Sequence, residues 1–279
     1  MAAVRRAYGL KRVGHGGTLD PAVTGVLPIA VGPATRLLPY LSGSKAYRGV
    51  VQLGVRTSSD DLEGTVLEQR DPPELDAAAL EEALEPLRGV ILQRPPQVSA
   101  VHVEGERAYA RVRRGETVAL APRPVTIELL RLLAWDPASG RLELEVRCSA
   151  GTYIRALARD LGTALGTGGA LASLRRTMAL GFDLNDAVPW EALDPQVLAA
   201  GAPLPGLRSP QAALGHLAQQ QLGDGELDGW RCGRQLQAHQ AWPAGTAVVI
   251  TTLQGDLAGV ANASQDGSLQ PKLVLDAAG

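Results

Sequence analysis

Acidic residues are almost missing from the first part of this 279-residue chain. From Met1 to Arg56 there are eight Lys/Arg and one acid, Asp20. Solvated surface segments usually mix their signs, so this stretch reads as a basic surface built around one anionic group. Cysteine is scarce as well. Cys148 and Cys232 stand far apart without metal-ligand spacing, and the four histidines are scattered. Those counts argue against a disulfide framework and a structural zinc, and for a cytoplasmic protein. No apolar run approaches the roughly 18–20 residues of a membrane-spanning helix. The opening MAAVRRAYGLKR lacks the apolar centre of a secretory signal.

The composition that remains, 45% hydrophobic and 20% charged, is that of a folded chain long enough for one large or two ordinary domains. The net charge of −2 hides an uneven distribution. Residues 191–279 carry four bases and eight acids, and residues 57–98 carry three bases and ten acids. The rest of residues 1–190 carries twenty bases and eleven acids, an excess that can steer an anionic ligand. The blander alternative is a set of ordinary solvated arginines. The acidic stretch Asp60–Glu85 reads as solvated surface.

Periodicity predicts a helix over Ala3–Leu10, a strand over Lys45–Thr57, and an amphipathic helix over Leu75–Gly89 with Asp76 as N-cap and Gly89 as stop. A strand pair is expected around the turn DPASG, followed by a helix over Gly151–Gly166. GWRCGRQLQ and the glycine-punctuated C-terminus read as short strands of a small β-barrel, and the Pro/Gly-rich residues 199–214 as a linker. Between them, residues 93 to about 124 break the rhythm with two prolines and a basic face, which marks an insertion.

Two motifs suggest chemistry. In Gly14-His15-Gly16-Gly17-Thr18-Leu19-Asp20-Pro21, three glycines allow a close backbone approach to a bulky ligand, and Pro21 biases Asp20 toward an extended conformation. A tight turn is the plain alternative, and neither G-K-[ST] nor G-x-G-x-x-G spacing is present to make it a phosphate loop. In Gly151-Thr152-Tyr153-Ile154-Arg155, an arginine falls in the first helical turn, where it opposes the helix dipole. An anion there would explain it, and Asp20 is the candidate; a surface arginine is the alternative.

The blocks GHGGTLDPAVTGVLPIAVGPATRLL, KAYRGVVQLG, RPPQVSAVHVEGERAYARVRRGE, RCSAGTYIRALARDLG and LASLRRT occur in that order. Together they closely resemble the TruB-type tRNA pseudouridine synthases, and the last 65 or so residues resemble a PUA domain. The resemblance implies a mixed α/β (α+β), largely antiparallel-sheet catalytic domain over 1–198 with the basic insertion, then a PUA-like RNA-binding barrel over 215–279. It implies Asp20 as nucleophile, Arg155 as its partner, and Tyr47 against the target base with a possible proton-transfer role. It places His15, Tyr153 and Leu174 at the substrate as well. Taken alone, Tyr47 and Leu174 would read as ordinary core and His15 as a turn residue.

Arg107, Arg111, Arg113 and Arg114 of the insertion, with Arg175 and Arg176, are the candidate RNA-backbone contacts. The implied reaction converts the T-loop uridine at tRNA position 55 to pseudouridine after base flipping, with no metal or small-molecule cofactor, in a monomer. A non-catalytic tRNA-binding or RNA-folding protein on the same scaffold is the alternative. A glycosidase reading suffers from the lack of a second carboxylate in the motif blocks. Family members usually begin with a strand and a DKPxGxTS-like segment, so some 20–25 residues are expected to be absent, through either a misassigned start or the loss of one strand of the central sheet.

Overall fold

The computed structural model describes residues 1–71, 74–103 and 105–275. The chain opens with α1 (Ala2–Tyr8), β1 (Val13–His15), β2 (Thr24–Gly25), β3 (Ile29–Val31) and a 3-10 helix at Gly32–Tyr40. Then come β4 (Lys45–Leu53), β5 (Val55–Thr57), β6 (Val66–Gln69), α2 (Ala77–Leu84) and β7 (Gly89–Gln93). The insertion supplies the hairpin β8 (His102–Val103) and β9 (Glu106–Arg107), followed by α3 (Ala108–Arg113). Next are β10 (Arg123–Asp136), β11 (Arg141–Cys148), α4 (Ile154–Ala164), β12 (Gly169–Ala179) and β13 (Phe182–Asp183). The last part holds α5 (Pro195–Ala199), β14 (Ala218–Gln221), α6 (Asp224–Arg231), β15 (Leu236–Gln237), β16 (Ala247–Thr251), β17 (Leu257–Ala263) and β18 (Ser268–Val274). Pro72 and Pro73 of the acidic stretch and Glu104 of the insertion lie outside the described residues. No helix among the described residues is long and apolar enough to cross a membrane.

Two compact units are formed. One comprises residues 18–27 and 43–187; the other comprises residues 1–17, 28–42 and 188 onward, so the chain changes unit four times rather than once near residue 198.

The first unit is built on a seven-stranded sheet of order β13-β12-β4-β11-β10-β7, with β2 running parallel to β12 and every other pairing antiparallel. In β4 the alternate residues Tyr47, Gly49, Val51 and Leu53 are buried, the period of two expected for a strand with one face on a core. Leu142, Leu144, Val146 and Cys148 of β11 share that core with Ile154, Leu157 and Leu161 of α4 and Leu80 and Leu84 of α2. Each such leucine contributes roughly 1.5–3 kcal/mol by leaving water.

Three local expectations are corrected here. Lys45–Thr57 is not one strand, because Gly54 at φ 82 breaks it into β4 and β5; a Cβ there would meet the Arg70 carbonyl at 2.8 Å. The helix capped by Asp76, whose side chain accepts from Ala79 N at 2.8 Å, stops at Leu84 rather than Gly89. Pro86 lacks the N–H that would continue it, so a 3-10 turn follows. Trp230 and Arg231 close α6, leaving only Leu236–Gln237 of GWRCGRQLQ as strand.

α4 is fixed to the sheet at two points. Its N-cap Tyr153 donates its backbone N–H to Gln93 Oε1 at 2.8 Å and accepts from Gln93 Nε2 at 3.1 Å, so one buried amide joins the end of β7 to the start of the helix. Farther along, a Cβ on Gly162 would lie 2.1 Å from Gly169 N and 2.2 Å from Gly168 C. Only a hydrogen fits. Gly162→Ala should therefore cost about 2–4 kcal/mol, read as a melting point lowered by roughly 5–10 °C.

The second unit contains a five-stranded sheet of order β14-β16-β17-β18-β15, in which only β14 and β16 are parallel. Its core gathers Leu222, Trp230, Val248, Ile250, Ala261 and Leu269. The Trp230 indole, fully buried, donates to Ala258 O at 3.0 Å. The edge strands β14 and β15 are joined by the buried Gln220 side chain, which donates to Gln237 O at 3.0 Å and accepts from His239 N at 2.8 Å.

Candidate active site

Asp20 lies in the loop between β1 and β2, where its carbonyl accepts from Val23 N at 3.0 Å. Its carboxylate, half exposed, meets Arg155 Nε at 2.9 Å. Arg155 stands in the first turn of α4 with its side chain 7% exposed. Every edge of that guanidinium is used. NH1 donates to Ser59 O and NH2 to Val98 O, each at 2.9 Å, and Nε also lies 3.5 Å from Asp61 Oδ2. A planar fork held at three edges has no freedom to turn, so it fixes the carboxylate it meets.

Asp61 and Asp60 were not recognised from the sequence. The acidic stretch read as solvated surface begins with two carboxylates turned inward, 20% and 14% exposed. Asp61 accepts from Ser59 Oγ at 2.5 Å beside Arg155. Asp60, at φ 63, accepts from Leu171 N at 3.0 Å through its carbonyl and pairs with Arg159 at 2.8 Å through its side chain. Burial raises the Asp60 carboxyl above its ordinary range, with Arg159 opposing. Arg155 and Arg159 are one helical turn apart on α4, and that i, i+4 spacing of arginines was the available signal for a pair of acids opposite.

Tyr47 is buried on β4, in register with Arg176 of β12 and Val146 of β11. Burial pushes its phenol above the ordinary range, the Arg176 guanidinium opposes that rise, and Asp20 adds to it. Lys45, two residues earlier on the same strand, is held below the ordinary lysine range by burial and then by the Arg176 charge. Leu174, partly buried on β12 opposite Gly49, packs against the main core. Tyr153 packs on a small separate core of the insertion, with Val101, Ala108, Val118 and Leu120. His15 is exposed at the end of β1, in the second unit.

The candidate RNA-backbone arginines divide into three kinds. Arg176 is overturned: it is fully buried, with Nε donating to Val26 O at 2.8 Å and NH1 to Thr18 O at 3.4 Å, and cannot reach a phosphate on the surface. Arg175, its neighbour on the strand, points the other way and is exposed. Of the four insertion arginines, two are paired with carboxylates among the described residues. Arg111 pairs with Glu116 at 2.7 Å, and Arg114 meets Glu106 at 2.5 Å and Glu116 at 2.9 Å. Arg113 lies 5.3 Å from the centre of the Tyr109 ring, and Arg107 donates to Ala100 O at 3.1 Å.

Residues 5–154 match the model of the TruB family pseudouridylate synthase N-terminal domain. The chain belongs to the TruB family. Residues 155–202 match the tRNA pseudouridylate synthase B C-terminal domain. A tRNA pseudouridine synthase B of Parasynechococcus marenigrum (strain WH8102) is 61% identical over 279 residues, covering 100% of this chain and 93% of that protein. One of Synechococcus sp. (strain WH7803) is 56% identical over 280 residues, with the same coverage. Among solved structures, a Cbf5-Nop10-Gar1 complex matches with a TM-score of 0.71 at 23% identity, over 98% of this chain and 79% of that one. An archaeal box H/ACA sRNP Nop10-Cbf5 complex matches at 0.69, also at 23% identity, over 98% and 80%. At that identity the likeness is one of fold: a TruB-family chain on a mixed α/β architecture with a C-terminal β unit.

Proposed function

We propose that this TruB-family chain isomerises a uridine of tRNA to pseudouridine, at position 55 in the T loop. The observation that carries the reading is the half-exposed Asp20 carboxylate locked at 2.9 Å to an Arg155 that is itself almost wholly buried. An exposed reactive group on an immobilised partner is what a nucleophile at a sugar carbon requires.

In the proposed reaction the target base leaves the loop stack, at a cost of a few kcal/mol. Asp20 then either attacks C1′ or takes the C2′ proton, and the N1–C1′ bond breaks. The freed uracil turns and bonds C1′ through C5, as the Asp20 carboxylate leaves C1′ or returns its proton to C2′; C5 then loses its proton and N1 gains one. Arg155 holds the carboxylate through these steps. Tyr47 would lie against the base and exchange a proton through its phenol, with Leu174 and Tyr153 as further walls; His15 is a separate candidate for a substrate contact. No electron is gained or lost overall. The enzyme would act as a monomer in the cytoplasm on the T stem-loop, with residues 215–279 as a PUA-like RNA-binding part.

Tritium release from tRNA transcript labelled at uridine C5 tests this directly. Release of one equivalent per tRNA is expected, and its absence with tRNA bound would leave a binding protein instead. The insertion arginines would hold the RNA backbone. Replacing Arg111, Arg113 and Arg114 by Gln should weaken tRNA binding and lower the slope of log K against log salt by about two units. Filter binding between low and moderate salt reads it; an unchanged slope removes the insertion from the RNA contact.

A further inference from the structure

Arg176 does not belong to the RNA surface, yet its chemistry is unlike that of a core residue. A guanidinium fully withdrawn from solvent is costly unless every donor is engaged, and it persists where it positions something else. Its engagements converge on one loop. The backbone carbonyl of Arg176 accepts from Val26 N at 2.9 Å, and its side chain donates back to Val26 O at 2.8 Å and to Thr18 O at 3.4 Å. Thr18 and Val26 bracket Asp20. The seam is tight: Gly25, at φ 101 and in register with Arg176, has no space for a Cβ, which would fall 2.0 Å from the Arg176 carbonyl oxygen.

The same residue is the cross-strand partner of Tyr47 in the β4–β12 ladder, which puts both side chains on one face of the sheet, where the guanidinium charge bears on the phenol. One side chain thus ties both ends of the Asp20 loop and stands across the ladder from the aromatic residue Tyr47, while Arg155 grips the carboxylate from α4. Adjacent arginines on a strand point to opposite faces, which is why Arg175 is exposed and Arg176 is not.

We propose that Arg176 is a positioning residue for the pseudouridylation step, holding the Asp20 loop and the Tyr47 phenol in one fixed relation. The proposal rests on the synthase reading above. A lysine there would keep the charge but lose the planar fork that spans several acceptors.

The test is a double-mutant cycle on single-turnover tritium release at saturating enzyme, with tRNA Kd measured in parallel, for the parent, R176K, Y47F and the double variant. R176K should slow release by about 10²-fold and leave Kd within about threefold. The double variant should be no slower than the slower single variant, because both changes break one unit. Additive losses would make Arg176 a purely structural residue, and a raised Kd with an unchanged rate would return it to the RNA contact; either overturns the proposal. If R176K does not fold, G25A replaces it in the cycle, since it opens the same seam while leaving the guanidinium in place. Absence of release by the parent would fail the synthase reading itself, and so is told apart from failure of the Arg176 proposal.

Discussion

Asp20→Asn should bind tRNA with the parent's affinity and release tritium at least about 10⁴-fold more slowly, the scale of losing a reacting group from a unit that works together. The amide keeps the size of the carboxylate and can still accept from Arg155 Nε, so the loop should stay where the 2.9 Å pair holds it. What disappears is the negative charge that, in the proposed reaction, either attacks C1′ or accepts the C2′ proton. The pair is only half exposed on the Asp20 side, and little stability should go with it. A melting point near the parent's, together with absent release, isolates the chemical role. Residual release within tenfold of the parent would move the nucleophile elsewhere.

Arg155→Gln is the second large effect, and it should differ in kind. The side chain is 7% exposed and holds four partners: Asp20, Asp61, Ser59 O and Val98 O. Removing it leaves the Asp61 carboxylate, 20% exposed, facing Asp20 without the intervening cation. Breaking a buried pair from one side costs about 3–5 kcal/mol, and the half exposure of Asp20 brings the expectation down to about 2–4 kcal/mol. Release should fall by about 10²-fold or more from misplacement of the carboxylate alone. Calorimetry and single-turnover release on the same sample would check both. A drop in stability without a drop in rate would reduce Arg155 to a structural tie. Adding Asp61→Asn to Arg155→Gln should restore part of the stability and none of the rate.

The relation between Asp20 and Arg155 was legible before any coordinates, because an arginine in a first helical turn is anomalous unless an anion answers it. The sheet was legible too, through the period of two in Lys45–Leu53 and the strand pair around DPASG. Asp60 and Asp61 were not. Their run of acids resembles a solvated surface, and the arginines that draw two of them inward come from a helix distant in sequence. Arg176 was misread for a different reason. The doublet Arg175–Arg176 signals positive charge, while the face each residue takes depends on strand register, which puts Arg176 opposite Tyr47. The last residues of α6, Gly229 to Arg231, were read as strand with GWRCGRQLQ, because the helical face of so short a segment becomes visible only with Trp230 in its core.

The ion pairs of the insertion bear on how an RNA would leave. Arg111 and Arg114 already hold Glu116 and Glu106, so on the proposed reading an arriving phosphate would trade places with a carboxylate that stays within reach. That exchange would weaken the grip relative to bare arginines. When the RNA left, the glutamates would take the arginines back, so an insertion built this way would favour frequent turnover over long residence.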